Sequence, residues 1–187
     1  RPLHAPCPGR GTLLVVGGIE QQPGKATTTV HCVTVSPSGE LSEWGEETAL
    51  PEPRSHHATF VHGGHVFVLG GLDGSGIGYD SQTYADYLVA TIDASGSVGA
   101  WRKVKLPFAI STHSATVRGE HVYLFGGFDE NFKLVSTVRR ARIGVDGTLG
   151  EWENAGKLPF ARAHVHHTPA WRSFVFSVGG NEGGHVP

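Results

Sequence analysis

The sequence predicts an all-β chain built from a repeated four-stranded antiparallel meander, about three and a half copies of it. Three observations carry this. The doublet Gly-Gly recurs at Gly17-Gly18, Gly70-Gly71, Gly126-Gly127 and Gly179-Gly180, always after an apolar run and thirteen residues after a histidine (His4, His57, His113, His166). Downstream stand Trp44, Trp101 and Trp152, each five residues after a glycine, and then Leu50-Pro51, Leu106-Pro107 and Leu158-Pro159. These markers keep one order with a period of 53 to 56 residues, and no stretch has sustained helical periodicity. A repeat of this length is one supersecondary unit that must stack on its neighbours to bury its apolar faces.

Within each unit the first strand runs through segments such as Ala58 to Val61 and ends at a two-residue turn, Gly63-Gly64 in the second unit. Primed hairpin turns need positive φ, which glycine supplies. The second strand is strongly apolar: Thr12 to Val16, His65 to Leu69, His121 to Phe125 and Phe174 to Val178. Continuous β-branched and aromatic runs suit strands buried on both faces. The third strand precedes the turns at Pro37-Ser38-Gly39, Ala94-Ser95-Gly96 and Asp146-Gly147, and the fourth carries the tryptophan. Glycine after the second strand is expected where a side chain would strike the neighbouring unit, and the tryptophans are expected in the core.

Composition narrows the function classes. Gly 27 and Pro 11 against only 17% charged residues fit many short strands and tight turns. A net charge of -2 offers no general attraction to nucleic acid or anionic lipid. No apolar run is long enough to span a bilayer, so a soluble chain without membrane insertion is expected. The chain lacks methionine, which suggests a processed product, an excised segment or part of something longer.

A repeating four-stranded meander of this size is the signature of a propeller blade. Arg-x-x-His, the apolar strand, Gly-Gly, then Trp and Leu-Pro resemble Kelch repeats, in the variety shared with galactose-oxidase-like propellers. The resemblance implies blades at residues 1–53, 54–109 and 110–162, with a partial blade at 163–187. It implies a fold rather than a chemistry, because such propellers host enzymes, adaptors and binders. Three and a half blades leave an open arc or part of a larger ring. A second chain or self-association is therefore expected to complete the propeller.

In such a propeller the first strand of each blade lines the central channel. His4, His57, His113 and His166 are then expected near one mouth, with Arg1, Arg54 and Arg162 beside them as ligand-binding residues. Ile110 breaks the arginine pattern, and Arg162 stands one residue out of step with its histidine. Imidazole suits Zn, Cu or Fe, so His4, His57, His113, His164 and His166 are the candidate metal ligands, although one histidine per blade is also what repetition alone yields. Asp73 and Asp80 bound a long loop that could hold a ligand. The basic run Arg139, Arg140, Arg142 is expected to form interblade or solvated pairs, with too few aromatics nearby for nucleic acid.

No copper-oxidase constellation carries over, since no local motif ties Tyr79, Tyr84, Tyr87 or Tyr123 to a cysteine. Similarity to Kelch sialic-acid epimerases would give Glu52, Arg54, His56 and Asp73 as candidates. Cys7 and Cys32, on strands flanking the second, are expected ~9–10 Å apart and hence free, since a disulfide needs Cα atoms within roughly 7 Å. The leading expectation is a binding or assembly module for a protein or carbohydrate, more exported than cytoplasmic. A Kelch enzyme subunit is the alternative.

Overall fold

The computed structural model describes residues 11–20, 25–74, 81–165, 170–172 and 174–181. All of its regular structure is β, and no helix occurs among the described residues. The first unit contains β1 (Thr12–Val16), the short ladder β2 (Ile19–Glu20) with β3 (Lys25–Ala26), then β4 (Val30–Thr34) and β5 (Gly45–Glu46). Its described sheet has the order β1-β4-β5. The second unit is a full meander of β6 (Ala58–His62), β7 (His65–Leu69), β8 (Asp86–Thr91) and β9 (Arg102–Lys105). The third repeats it with β10 (Ser114–Arg118), β11 (His121–Phe125), β12 (Thr137–Arg142) and β13 (Glu153–Lys157). The fourth contributes β14 (Ala170–Trp171) and β15 (Phe174–Val175).

The hairpin between β6 and β7 turns at Gly63 and Gly64, both at positive φ, as a primed turn requires. Strand β7 is apolar along its length because it is sandwiched. Phe67 and Leu69 pack with Val122, Leu124, Ala141 and Ile143 of the third unit. Val66 and Val68 face the first unit, where Leu14, Val16 and Val30 wait. One strand thus feeds two interfaces by simple alternation.

The tryptophans immediately precede the fourth strands and reach back one unit. Trp101 packs on the cluster of Val16 and Val30, and its Nε1 donates to the Thr48 carbonyl at 2.8 Å. Trp152 meets Phe108 of the second unit edge-on at 5.3 Å. Trp44 corrects the expectation that all three are core: it is 48% exposed, because no described residue of an earlier unit stands behind it. Leu13 and Val15 are exposed for the same reason.

The first glycine of the first three doublets is where neighbouring units touch. A Cβ on Gly17, Gly70 or Gly126 would press into the carbonyl oxygens of Arg54, Ile110 and Arg162, each entering the next unit. Gly70→Ala is therefore expected to destabilise by about 3 kcal/mol or more. Gly63→Ala, also at positive φ but facing open space, should cost only about 1 kcal/mol. Urea unfolding of the two variants checks the difference.

Cys32 is buried and disulfide-bonded, which corrects the expectation of free thiols. The only other cysteine, Cys7, lies outside the described residues. A disulfide needs Cα atoms within roughly 7 Å, so the ~9–10 Å spacing expected from the strand interval does not hold.

Candidate functional site

Blades converge on an axis. The first strands of adjacent units, β6 and β10, pack against each other. Two residues before β6 and β10 the chain passes through a residue at positive φ, His56 (52°) and Thr112 (51°), and His164 (54°) does the same in the fourth unit. A β-branched residue such as Thr112 adopts this conformation only at a cost of about 1–3 kcal/mol. Backbone hydrogen bonds join the three, from Thr112 N to His56 O (2.8 Å) and from His164 N to Thr112 O (2.9 Å). The rings of His56 and His164, two units apart, approach edge-on with centroids 6.1 Å apart, and Phe128 stands 6.3 Å from His164. Such proximity between alternate units is possible only near the axis, so these residues form an inner rim.

The histidines one position further on are withdrawn from that rim. His113 is buried, and neither of its ring nitrogens has a hydrogen-bond partner. Burial holds its pKa down to about 3, with His57 and Arg139 adding unfavourable charge. His57 retains some exposed surface, yet its Nδ1 is sealed and unpartnered. Crowding around the ring, then the nearby Arg54, lower its pKa to about 4 against a hydrogen bond with the Val16 backbone. Both imidazoles are neutral at pH 7 and face protein rather than channel.

The fourth unit corrects the expected register. Arg162 is in step: its carbonyl accepts from Gly127 N as that of Ile110 accepts from Gly71 N, and its Nη1 donates to Gly179 O as Arg54 Nη1 donates to Gly70 O. Behind Gly180 stand Val165 and Ala163, as His57 and Ser55 stand behind Gly71. Val165 therefore occupies the histidine position, and the extra residue falls after it. Arg1, His4, Asp80 and His166 lie outside the described residues.

Arg54 is also withdrawn from the mouth. It is 0% exposed and donates to Glu52 and Asp86, each at 2.7 Å, while its guanidinium lies 3.9 Å above the Tyr84 ring. Lys103 closes the group, 2.8 Å from Glu52 and 3.3 Å from Asp86. Burial would raise the Glu52 pKa, but the Lys103 hydrogen bond and the charges of Arg54 and Lys103 outweigh it and hold it low. The Glu52 hydrogen bond in turn raises the pKa of Lys103. This network is a strut between units. Its acid Asp86 was legible as the one carboxylate at a third-strand start whose third-unit counterpart, opposite Ile110, is Thr137.

Asp73 closes its loop by accepting from Gln82 N at 2.7 Å. Arg140 and Arg142 form exposed pairs with Glu153 and Glu120, and Arg139 stacks 4.3 Å over Phe108 of the previous unit. Among the described residues no three His, Cys, Asp or Glu side chains come together as a metal site. No helix among them is long and apolar enough to cross a membrane.

With this geometry in hand, the comparisons fall into one group. Kelch-like protein 36 of Rattus norvegicus is 25% identical over 183 residues, covering 75% of this chain and 29% of the relative. The four-stranded meanders of this chain are similar to Kelch propeller blades. Spermatocyte protein spe-26 of Caenorhabditis elegans is 26% identical over 142 residues, covering 74% of this chain and 22% of its own length. Beta-scruin of Limulus polyphemus is 26% identical over 120 residues, covering 63% and 12%. The solved structure of YjhT, a Kelch β-propeller protein, superposes with a TM-score of 0.58 at 15% identity, over 86% of this chain and 55% of that one. No family model matches the chain. The chain spans less than a third of the length of these curated relatives and about half of the YjhT chain.

Proposed function

We infer that this segment is a binding module whose contact surface is the inner rim of His56 and His164, carried on the backbone of the buried Thr112, and that its partner is a protein. The observation that carries this is the stitched rim. Three strained residues on successive units are locked by backbone bonds, which presents the His56 and His164 rings on a rigid frame. Rigid presentation of aromatic and polar groups lowers the ordering cost of binding. The stronger charges, Arg54, Glu52, Asp86 and Lys103, neutralise one another away from the rim, which favours contact over acid–base chemistry. The same reading has the open faces of the arc covered by further blades, from a larger propeller of which this is part, a second chain or a second copy.

Selection of displayed peptides on the folded chain, with a glycan array run beside it, tests the rim. Peptides that bind the chain are expected to lose about tenfold or more in affinity to a His56→Ala/His164→Ala variant of unchanged thermal stability. Peptides that bind both proteins equally, or affinity for glycans alone, would remove the reading.

A further inference from the structure

The repeat departs from itself where the second unit meets the third. The last strand pairs before the first three glycine doublets join Val16 to Val30, Leu69 to Tyr87 and Phe125 to Val138. A tyrosine thus stands where the flanking units have valine. Tyr87 is 2% exposed, and its hydroxyl reaches the third unit, where it accepts from Leu149 N at 3.0 Å. That bond engages the oxygen only. No acceptor for the hydroxyl proton stands among the described residues.

Tyr87 lines a cleft of about 560 Å³ together with Lys105, Pro107, Leu149, Glu151 and Trp152. Trp152 also differs from its counterpart. The Trp101 indole donates to Thr48 O, whereas Nε1 of Trp152 has no acceptor among the described residues. Phe108 meets the Trp152 ring edge-on and holds it in place. Lys105 and Glu151 are exposed, and neither forms an ion pair among the described residues, with the other or elsewhere. The cleft therefore offers two uncharged donors between apolar walls, with one cation and one anion beside them.

We propose that this cleft binds a proline-rich segment of a partner protein, extended as polyproline II and flanked by one basic and one acidic residue. Proline has no N–H, so such a segment presents carbonyls without competing donors. Those carbonyls are what the Tyr87 hydroxyl and the Trp152 indole can satisfy. Pyrrolidine rings suit the apolar walls of Pro107, Leu149 and Trp152, and the preformed helix lowers the ordering cost of binding. Glu151 takes the basic flank and Lys105 the acidic one. A sugar fits less well, since its hydroxyls donate as well as accept and Glu151 supplies the one side-chain acceptor not already engaged. The cleft is a second surface, and the proposal does not rest on the rim.

Fluorescence anisotropy of labelled hexaproline peptides titrated with the full chain tests this. A peptide with arginine at one end and glutamate at the other is expected to bind in at least one of the two orders. Trp152→Phe and Tyr87→Phe should each weaken it about tenfold. Should either variant fail to fold, the exposed charges supply a second measurement. Glu151→Lys should shift the preference to a peptide with glutamate at both ends, and Lys105→Glu to one with arginine at both ends. His56→Ala/His164→Ala should leave the affinity unchanged. No binding at about 1 mM peptide, or affinities indifferent to all of the cleft substitutions, would overturn the proposal. So would binding lost in the rim variant alone, or cello-oligosaccharides bound in preference to every peptide. Failure here leaves the rim test untouched.

Discussion

Acidification from neutral pH to about 4.5 is expected to remove several kcal/mol of stability, much of what a domain of this size possesses. His113 drives the effect. Its folded pKa of about 3 lies below its ordinary 6.5, so the unfolded chain takes up the proton first. Stability is therefore full above 6.5 and is lost progressively down to about 3. At about 1.36 kcal/mol per pH unit, two units below 6.5 cost roughly 3 kcal/mol from this residue. His57 acts in the same direction over a shorter window, ending at about 4, and by less, since it keeps some contact with water. Glu52 has the same sign but enters only near and below the ordinary carboxylate range, because its folded pKa is lowered.

Urea midpoints measured across this range separate the contributions. His113→Leu removes two unpartnered nitrogens from the interior, so it should be at least as stable as the parent at pH 7. Its stability should also fall less steeply between pH 6.5 and 4.5. A variant with the parent's slope would show that His113 is not the group that titrates.

Arg54→Ile is expected to cost about 3–5 kcal/mol, because it strands Asp86 in a buried position with only Lys103 beside it. The chain itself contains the remedy. In the third unit Ile110 occupies the arginine position and Thr137 the aspartate position. Arg54→Ile combined with Asp86→Thr copies that solution and should recover more than half of the loss, since an apolar pair of similar volume replaces a buried ion pair at little net cost. Equilibrium unfolding of the single and double variants gives the coupling directly. If the double variant is no better than Arg54→Ile alone, the two positions do not form one unit.

Much of the architecture was legible because it is periodic. The second strands at Thr12–Val16, His65–Leu69 and His121–Phe125 have the bounds that the apolar runs mark. Gly17, Gly70 and Gly126 stand where neighbouring backbones press close. Alternation and positive φ are local properties of the chain, and repetition multiplies them until they are unmistakable.

The site was legible only in part. Counting back from the glycines gave His166 the place that Val165 holds, because an inserted residue shifts sequence spacing without shifting the backbone bonds that define a position. The sequence singles out Arg54 and Glu52 but not Asp86, which stands 32 residues on from the arginine. Trp44 reads like Trp101 and Trp152, yet its burial depends on what stands behind it.

What the residues determined alone was the meander, its turns and the faces each strand offers, since these depend on neighbours two or four positions away. Which imidazoles reach the axis was decided by the packing of one unit on the next. A one-residue step along the chain at the positive-φ corner sends His56 to the rim and turns His57 and His113 inward, and that choice belongs to the interface between sheets.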